Sequence, residues 1–456
     1  MQAEKLRERA RNEGYERNER NEKIKDEGIN SFNSFNSYEE NIEFTPPSWP
    51  ILPEKALYGF AGEFVELAAR QSEADPAAIL ATFLTRFSAE VGSAPYMMVG
   101  DASHRARISA VIVGDSSKGR KGTSYKPVER LFSAIQTSAK TSPGPFSSGE
   151  GIIYAVRDAV KKWDDKNRVY VDVDPGVVDK RLFVMDEEFA GVMANTKREG
   201  NTLSMVIRQA WDNGNFDPIT KTSKITATKA HVAWVSHITK NELHRKLAES
   251  EAFNGFANRI LWVCATRKQE ITWPQPMNIL ELSKIQQKLI NTLPLYGGQS
   301  FEVKPSQTVR EEWVKCYHNL TKDKPGLVGC ITNRAEAQVL RLAMIYALTD
   351  GSRVIEIQHL DAAMAFWKYC EQSARYIFHG MQTDTTAQRI LEALKEKPLS
   401  TTEIYKLFGN NYSKERIEIA LSELQTAGMV EKEVVKHDGP GRPETIWKYI
   451  HANERN

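Results

Sequence analysis

Apolar positions are nearly absent from residues 1–25, which mix Glu, Arg, Lys and Asn, and a small repeat, NSFNSFNS, follows at 30–37. This predicts a disordered charged arm over 1–44. TPPSWPILP (45–53) punctuates the chain and opens the folded part. From there the apolar positions fall at helical spacing in FAGEFVELAARQ and in PAAILATFLTRFSAEVG, where Pro76 marks a helix start. ISAVIVG is a short apolar run ending in glycine, and it reads as a strand. The helix-like YKPVERLFSAIQ (125–136) is followed by GEGIIYAVRDAVKKW (149–163) and then by the strand-like RLFVMDEEF (181–189). TLSMVIRQAW (202–211) places Leu203, Val206, Ile207, Ala210 and Trp211 on one helical face. KAHVAWVSHIT (229–239) reads as a strand, NELHRKLAE as a helix and ANRILWVCATR (257–267) as a strand. Strands alternating with helices predict a three-layer α/β domain. Residues 268–330 show less regular patterning, 333–378 read as helical throughout, and 385–450 form a small separate unit.

At 456 residues the chain is long enough for two to four domains of roughly 100–200 residues each. The pattern divides it into the arm, an N-terminal helical segment (45–106), an α/β core (107–330), a helical lid (331–382) and a C-terminal unit (383–456). The hydrophobic share of 41% supplies a sizeable core. A net charge of +2 carries no global signal for nucleic acid, so any DNA contact must come from local patches. Cys264, Cys316, Cys330 and Cys370 form no close pair, which argues against a zinc knuckle and fits a reducing cytosol. There is no run of eighteen apolar residues and no apolar segment at the N-terminus, so a cytoplasmic protein without a membrane span is expected.

In VIVGDSSKGRKGTS (111–124) an apolar strand enters a glycine-rich, lysine-containing loop, followed by Thr-Ser and a helix. Glycines let the backbone approach phosphate oxygens, and a helix start offers free N–H groups. With Gly114 as the first glycine of a phosphate loop, Gly119 falls in the sixth place and Arg120 where the lysine belongs. Lys121 then stands where the hydroxyl belongs, so the register is open. The residues expected around ATP are Gly114, Lys118, Gly119, Arg120, Lys121, Gly122, Thr123 and Ser124. Lys121 is the preferred phosphate ligand and Thr123 the preferred Mg²⁺ ligand.

RLFVMDEEFA supplies an apolar strand ending in three carboxylates. Asp186 would hold Mg²⁺ through water, and Glu187 or Glu188 would polarise an attacking water. His237 and Thr239 end the strand VAWVSHIT, where either is suited to sensing a terminal phosphate. Arg259, in NGFANR, and Arg334, at the start of TNRAEAQVLRLA, are arginines that would act on a neighbouring subunit's nucleotide. In the C-terminal unit two amphipathic helices are joined by GNNYS in a helix-turn-helix pattern. Lys414 and Arg416 open the second helix, and Arg442 lies in a Gly/Pro loop (439–443) placed as the wing of a winged helix. These three residues are the expected DNA contacts.

The segments VGDSSKGRKGTS, SSGEG, DPGVVDKRLFVMDEEFA, REGNTLSMVIRQAWDNG, HITKNELHRKL, NGFANRILWV and RAEAQVLRLAMIYAL occur in that order. Together they resemble a helicase-like P-loop NTPase family of phages, plasmids and other mobile elements. It is catalogued as a domain of unknown function and is often fused to a primase-polymerase domain. The resemblance spans about residues 45–380. It implies a RecA/AAA-like α/β core with a C-terminal winged helix, ATP and Mg²⁺ as cofactors, and a homo-oligomeric ring, a hexamer, acting on single-stranded, forked or origin DNA. The implied activity is that of an ATPase serving as a replicative helicase or replication initiator. The alternative is a nucleotide-gated DNA-binding regulator that does not unwind. Relatives carry Glu-Ser-Glu-Phe-Ala at the acidic strand end, which favours Asp186 and Glu188 as the working pair over Glu187. Only the charged arm precedes the core, so priming is expected from a separate primase.

Overall fold

The structure is a computed structural model that describes residues 47–115, 119–218, 225–247, 255–322, 324, 326–379, 385–409, 412–426, 430–435 and 444–450. The chain divides into two units, 1–47 and 48–456. The predicted arm (1–44) lies outside the described residues. The larger unit opens with helices α1 (Gly59–Ala69) and α2 (Pro76–Val91) and the short strands β1 (Pro95–Val99) and β2 (Ala102–Arg105). Strand β3 (Ser109–Val113), helix α3 (Tyr125–Phe132), strand β4 (Lys140–Ser142) and helix α4 (Gly149–Ala155) follow. Next come the ribbon strands β5 (Val160–Asp164) and β6 (Val169–Asp174), then β7 (Arg181–Asp186), α5 (Phe189–Thr196) and α6 (Leu203–Asp212). Strand β8 (His231–Ile238), helix α7 (Lys240–Lys246) and strand β9 (Leu261–Cys264) complete the central sheet.

Strands β4, β7, β8, β3 and β9, in that order, form one five-stranded sheet in which every pairing is parallel. The apolar runs that mark β3, β8 and β9 are buried along their whole length, as parallel strands covered on both faces must be. Successive side chains serve opposite faces. Ile112, Phe183, Met185, Val235 and Val263 join one core, with α1 and α2. Val111, Val113, Val184, Trp234 and Trp262 join the other, with α5 and α6. All five apolar residues expected on one face of α6 are buried there.

Helix α2 starts where Pro76 predicts, capped by Asp75, which accepts a hydrogen bond from the Ala77 N–H at 3.0 Å. The helix is buried all round, which its apolar character requires. Several of its polar groups are satisfied within the helix. Thr82 and Thr85 donate to the carbonyls of Ala78 and Ala81, and Arg86 pairs with Glu90 at 2.5 Å.

Residues 268–330, which show little periodicity, contain helix α8 (Ile279–Thr292), the two-residue strands β10 (Phe301–Glu302) and β11 (Lys304–Pro305), and helix α9 (Gln307–Thr321). The apolar stripes of these helices are narrow, and Leu280, Ile290 and Val314 are exposed. Helix α10 (Gly326–Thr332) follows. The segment 333–378 is not continuously helical. Helix α11 (Ala335–Thr349) and helix α12 (Ile357–Phe378) are separated by a turn through Gly351, at φ 74°, and by strand β12 (Val354–Ile355). Leu342 and Phe366 of these helices lie in the same core as Phe64, Phe83, Ile112 and Val235. The helical segments before and after the core are therefore layers of it rather than separate bodies.

The C-terminal unit holds α13 (Thr385–Glu396), β13 (Leu399–Ser400), α14 (Thr401–Phe408), α15 (Lys414–Thr426), β14 (Val430–Val435) and β15 (Glu444–Tyr449). Its antiparallel strands lie in the order β13–β15–β14, and Ile390, Ile404, Leu421 and Trp447 form a core of their own. Ser400 and Glu403 make a capping box at the start of α14. No described helix is long and apolar enough to cross a membrane.

Candidate functional site

Because the sheet is parallel, the loops after β3, β7 and β8 leave from one edge. The register sets Val113 beside Ile238 and Asp186 beside Ser236. Arg120, Lys121, Gly122, Thr123, Lys126, Glu187 and His237 line a cleft of about 620 Å³ at that edge. The volume suits a nucleotide-sized ligand. Its lining carries three cations and one carboxylate, but Arg120 is paired with Glu73 and Lys126 with Glu129, which leaves Lys121 as the cation open to an anion.

Gly114 is needed for the approach of the loop. A Cβ at this position would lie 2.3 Å from the Ala265 carbonyl oxygen at the end of β9. After Lys118, which lies outside the described residues, the chain passes Gly119 and reaches Arg120 at φ 49°, a left-handed conformation. Residues Lys121–Ser124 form a 3-10 turn that runs into α3. The Lys121 ammonium donates to the carbonyls of Gly114 at 3.0 Å and Asp115 at 2.6 Å, folded back on its own loop. Burial lowers its pKa, opposed by Asp115 and Glu242. Arg120 is held differently. Its Nε lies 2.7 Å from the carboxylate of Glu73, in the α1–α2 connection. The Ile271 N–H, followed by the charges of Arg120 and Arg267, keeps the Glu73 carboxyl below the usual range. Lys121 thus makes no ion pair among the described residues, while Arg120 is tied to a carboxylate.

Of the two hydroxyls, Ser124 is buried and donates to the Lys121 carbonyl at 2.6 Å. Thr123 lines the cleft. Asp186 is buried, and its two oxygens accept from the N–H groups of Glu188 at 2.9 Å and Phe146 at 3.4 Å. Ser236 Oγ donates to the Asp186 carbonyl at 2.6 Å and pins β7 to β8 at this end. Glu187 lines the cleft, whereas Glu188 is exposed and is not among the lining residues. Among the described residues no three His, Cys, Asp or Glu side chains converge into a metal cage. One hydroxyl and one carboxylate, with phosphate oxygens completing the shell, is the donor set Mg²⁺ takes in nucleotide sites.

His237 is buried, its Nε2 has no hydrogen-bond partner, and burial lowers its pKa to about 4, so the ring is neutral near pH 7. Thr239 is committed elsewhere. It caps α7, accepting from the Glu242 N–H at 3.2 Å and donating to the Glu242 carboxylate at 2.9 Å. Of the two strand-end residues, His237 is the one in the cleft.

The two arginines expected to act in trans sit apart from the cleft. Arg259 is buried and bonds both oxygens of Asp212, at 3.1 and 2.9 Å. Arg334 is half-buried, makes no ion pair among the described residues, and lies 5.2 Å from the Trp211 ring centre. Arg259→Ala is therefore expected to destabilise the fold by about 1–3 kcal/mol, because it strands a partly buried carboxylate. Arg334→Ala should leave the unfolding temperature unchanged. Thermal unfolding followed by circular dichroism checks both, and equal melting points for the two variants would contradict the assignment.

Lys414 opens α15 and lies 5.9 Å from the Tyr405 ring centre. Arg416 is on the same helix, but its side chain and all of Arg442 lie outside the described residues. Sequence reasoning missed Glu73, Lys126 and Ser236. Lys126 stands one turn beyond the phosphate loop, and that spacing was a usable signal.

A larger cavity of about 1100 Å³ opens at the opposite edge, lined in part by Glu90, Lys180, Arg181 and His231. Arg181 there pairs with Asp179 and Glu90, and Lys180 with Asp158. None of the residues that the sequence marks as candidates for the site lines this cavity. No protein-family model matches the chain, and no curated protein matches it. The family resemblance rests on the motifs alone.

Proposed function

We propose that the protein is an ATP-dependent DNA motor, a replicative helicase or replication initiator of a mobile element, with a P-loop NTPase core and a C-terminal winged helix. The observation that carries this reading is the convergence of Lys121, Thr123, Glu187 and His237 in one cleft at the carboxyl ends of parallel strands. In this reading Lys121 leaves its own loop carbonyls for the β- and γ-phosphates. Thr123 and Asp186 would hold Mg²⁺, and the chemistry it would supply when bound is to offset phosphate charge. Glu187 orients and polarises the attacking water. Neutral His237 donates to or accepts from the terminal phosphate's surroundings without adding charge. Arg334 is the remaining arginine suited to a neighbour's nucleotide, which calls for a ring, proposed as a hexamer.

The winged-helix reading is supported by the succession α13, α14, α15 and the β14–β15 pairing. Lys414 and Arg416 then stand at the start of the recognition helix. ATP turnover with and without single-stranded DNA, on a sample of measured oligomeric state, tests the proposal. Stimulated turnover supports it and absent turnover overturns it. The locked Arg259 favours a second reading, a nucleotide-gated initiator that binds DNA without unwinding it. ATP-dependent strand displacement on forked DNA excludes that reading.

The Glu73–Arg120 pair gives a further expectation within the same site. Glu73→Ala should free Arg120 to compete with Lys121 and raise the KM for ATP several-fold, leaving kcat little changed. In an Arg120→Gly background, where glycine adopts the left-handed turn without strain, the same change should have no further effect. Steady-state kinetics on the four proteins checks this, and equal losses in both backgrounds would show a merely structural role.

A further inference from the structure

The β5–β6 ribbon projects between α4 and β7, and all but the last residue of each strand is exposed. A bare two-stranded ribbon is marginal in water, and this one carries large side chains that folding does not bury. Trp163 and Tyr170 face each other across the strands, ring centres 5.0 Å apart and 44% and 68% exposed.

The charges on the ribbon are unevenly engaged. Asp164 accepts from the Lys166 and Asn167 N–H groups and from the Asn167 side chain, which close the turn and lower its pKa. Asp172 faces Lys161 at 3.7 Å, and Asp174 is bonded to Arg157 at 2.6 and 2.9 Å. Among the described residues Lys162, Lys166 and Arg168 make no ion pair, which leaves three open cations against the carboxylates of Asp164 and Asp165.

We propose that this ribbon is a single-stranded DNA contact, with Trp163 and Tyr170 stacking on bases and Lys166 and Arg168, in the turn that joins the strands, meeting phosphates. Aromatic faces flanked by unpaired cations suit unstacked bases on a flexible backbone, and a duplex keeps its base faces hidden. The choice of DNA rests on the proposed function. The ribbon's base is anchored by Lys180, just before β7, which is bonded to Asp158. Asp158 also accepts from Thr226 and Thr228 before β8. These contacts tie the base of the ribbon to the starts of β7 and β8.

The test is fluorescence anisotropy of the full chain with a labelled oligo-dT of about 20 nucleotides. Trp163→Ala and Tyr170→Ala should each weaken binding roughly tenfold, and W163F/Y170F should restore it. K166A/R168A should flatten the salt slope by about 0.7 for each lost phosphate contact. Thermal unfolding verifies that each variant is folded. If the wild type binds oligo-dT and the ribbon variants bind equally well, the ribbon proposal falls while DNA binding stands. If the wild type does not bind at low salt, the DNA reading itself falls. If the variants change the oligomeric state in light scattering and not DNA affinity, the ribbon meets a second copy of the chain and the proposal is overturned.

Discussion

Lys121→Ala is expected to abolish ATP hydrolysis while leaving the protein folded. The Lys121 ammonium bonds only to the carbonyls of Gly114 and Asp115 in its own loop, at a partly exposed position. Losing such bonds costs about 1 kcal/mol of stability. A charge-assisted bond to phosphate is worth roughly 1.5–3 kcal/mol, so ATP affinity should fall about 10- to 100-fold. Turnover should fall further, because charge builds on the transferring phosphoryl group as it reacts. Arg120→Ala is the matched control. Its guanidinium is engaged by Glu73 at 2.7 Å, so its loss should cost much less turnover than that of Lys121. A fluorescent ATP analogue titration, a phosphate-release assay and thermal unfolding measure the three quantities. Unchanged turnover in Lys121→Ala would remove the phosphate site from this cleft, and a dead Arg120→Ala beside it would restore the conventional register.

The second large effect concerns the carboxylates after β7. Glu187→Gln should lower kcat by about 10²–10⁴, the usual worth of a positioned general base, without weakening ATP binding. Removing a negative charge beside phosphates relieves repulsion, so affinity should hold or rise. Glu188→Gln should do far less, because Glu188 does not line the cleft, whereas Glu187 does. This reverses the preference drawn from the family pattern, which set Glu188 above Glu187. Single-turnover hydrolysis separates chemistry from binding here. An active Glu187→Gln protein beside an inactive Glu188→Gln protein would vindicate the family pattern and would mean that the loop after β7 rearranges on binding. Asp186 is a poorer probe. It is buried, and its oxygens accept from two backbone N–H groups, so its replacement mixes folding with function.

Much of the architecture was legible as local pattern. The runs that became β3, β7, β8 and β9 are almost wholly apolar, and a strand buried on both faces leaves that signature whatever its partners. Pro76 announced the start of α2 through backbone chemistry confined to a few residues. The glycine- and lysine-bearing loop after β3 and the acids after β7 were visible because strand-end loops carry their polar residues in sequence with the strand.

Tertiary structure decided which of those residues meet. β8 lies between β3 and β7, which puts His237 beside the loop after β3, and no local pattern records the order of strands in a sheet. Glu73 reaches Arg120, and Asp212 reaches Arg259, across long separations in the chain. Those two contacts set the role of each arginine, since a guanidinium is equally charged wherever it stands and its partner alone decides what it is free to bind. The β5–β6 ribbon escaped notice because solvent on both faces imposes no alternation of apolar and polar positions. By itself the sequence determined the buried strands β3, β7, β8 and β9, the helices α1, α2 and α6, and the polar loops at the strand ends, since backbone preference and burial act over a few residues. The partners of Lys121 and Arg120, the carboxylate at the cleft and the ion pair of Arg259 emerged only from packing, because each depends on the approach of groups that the chain brings together only when folded.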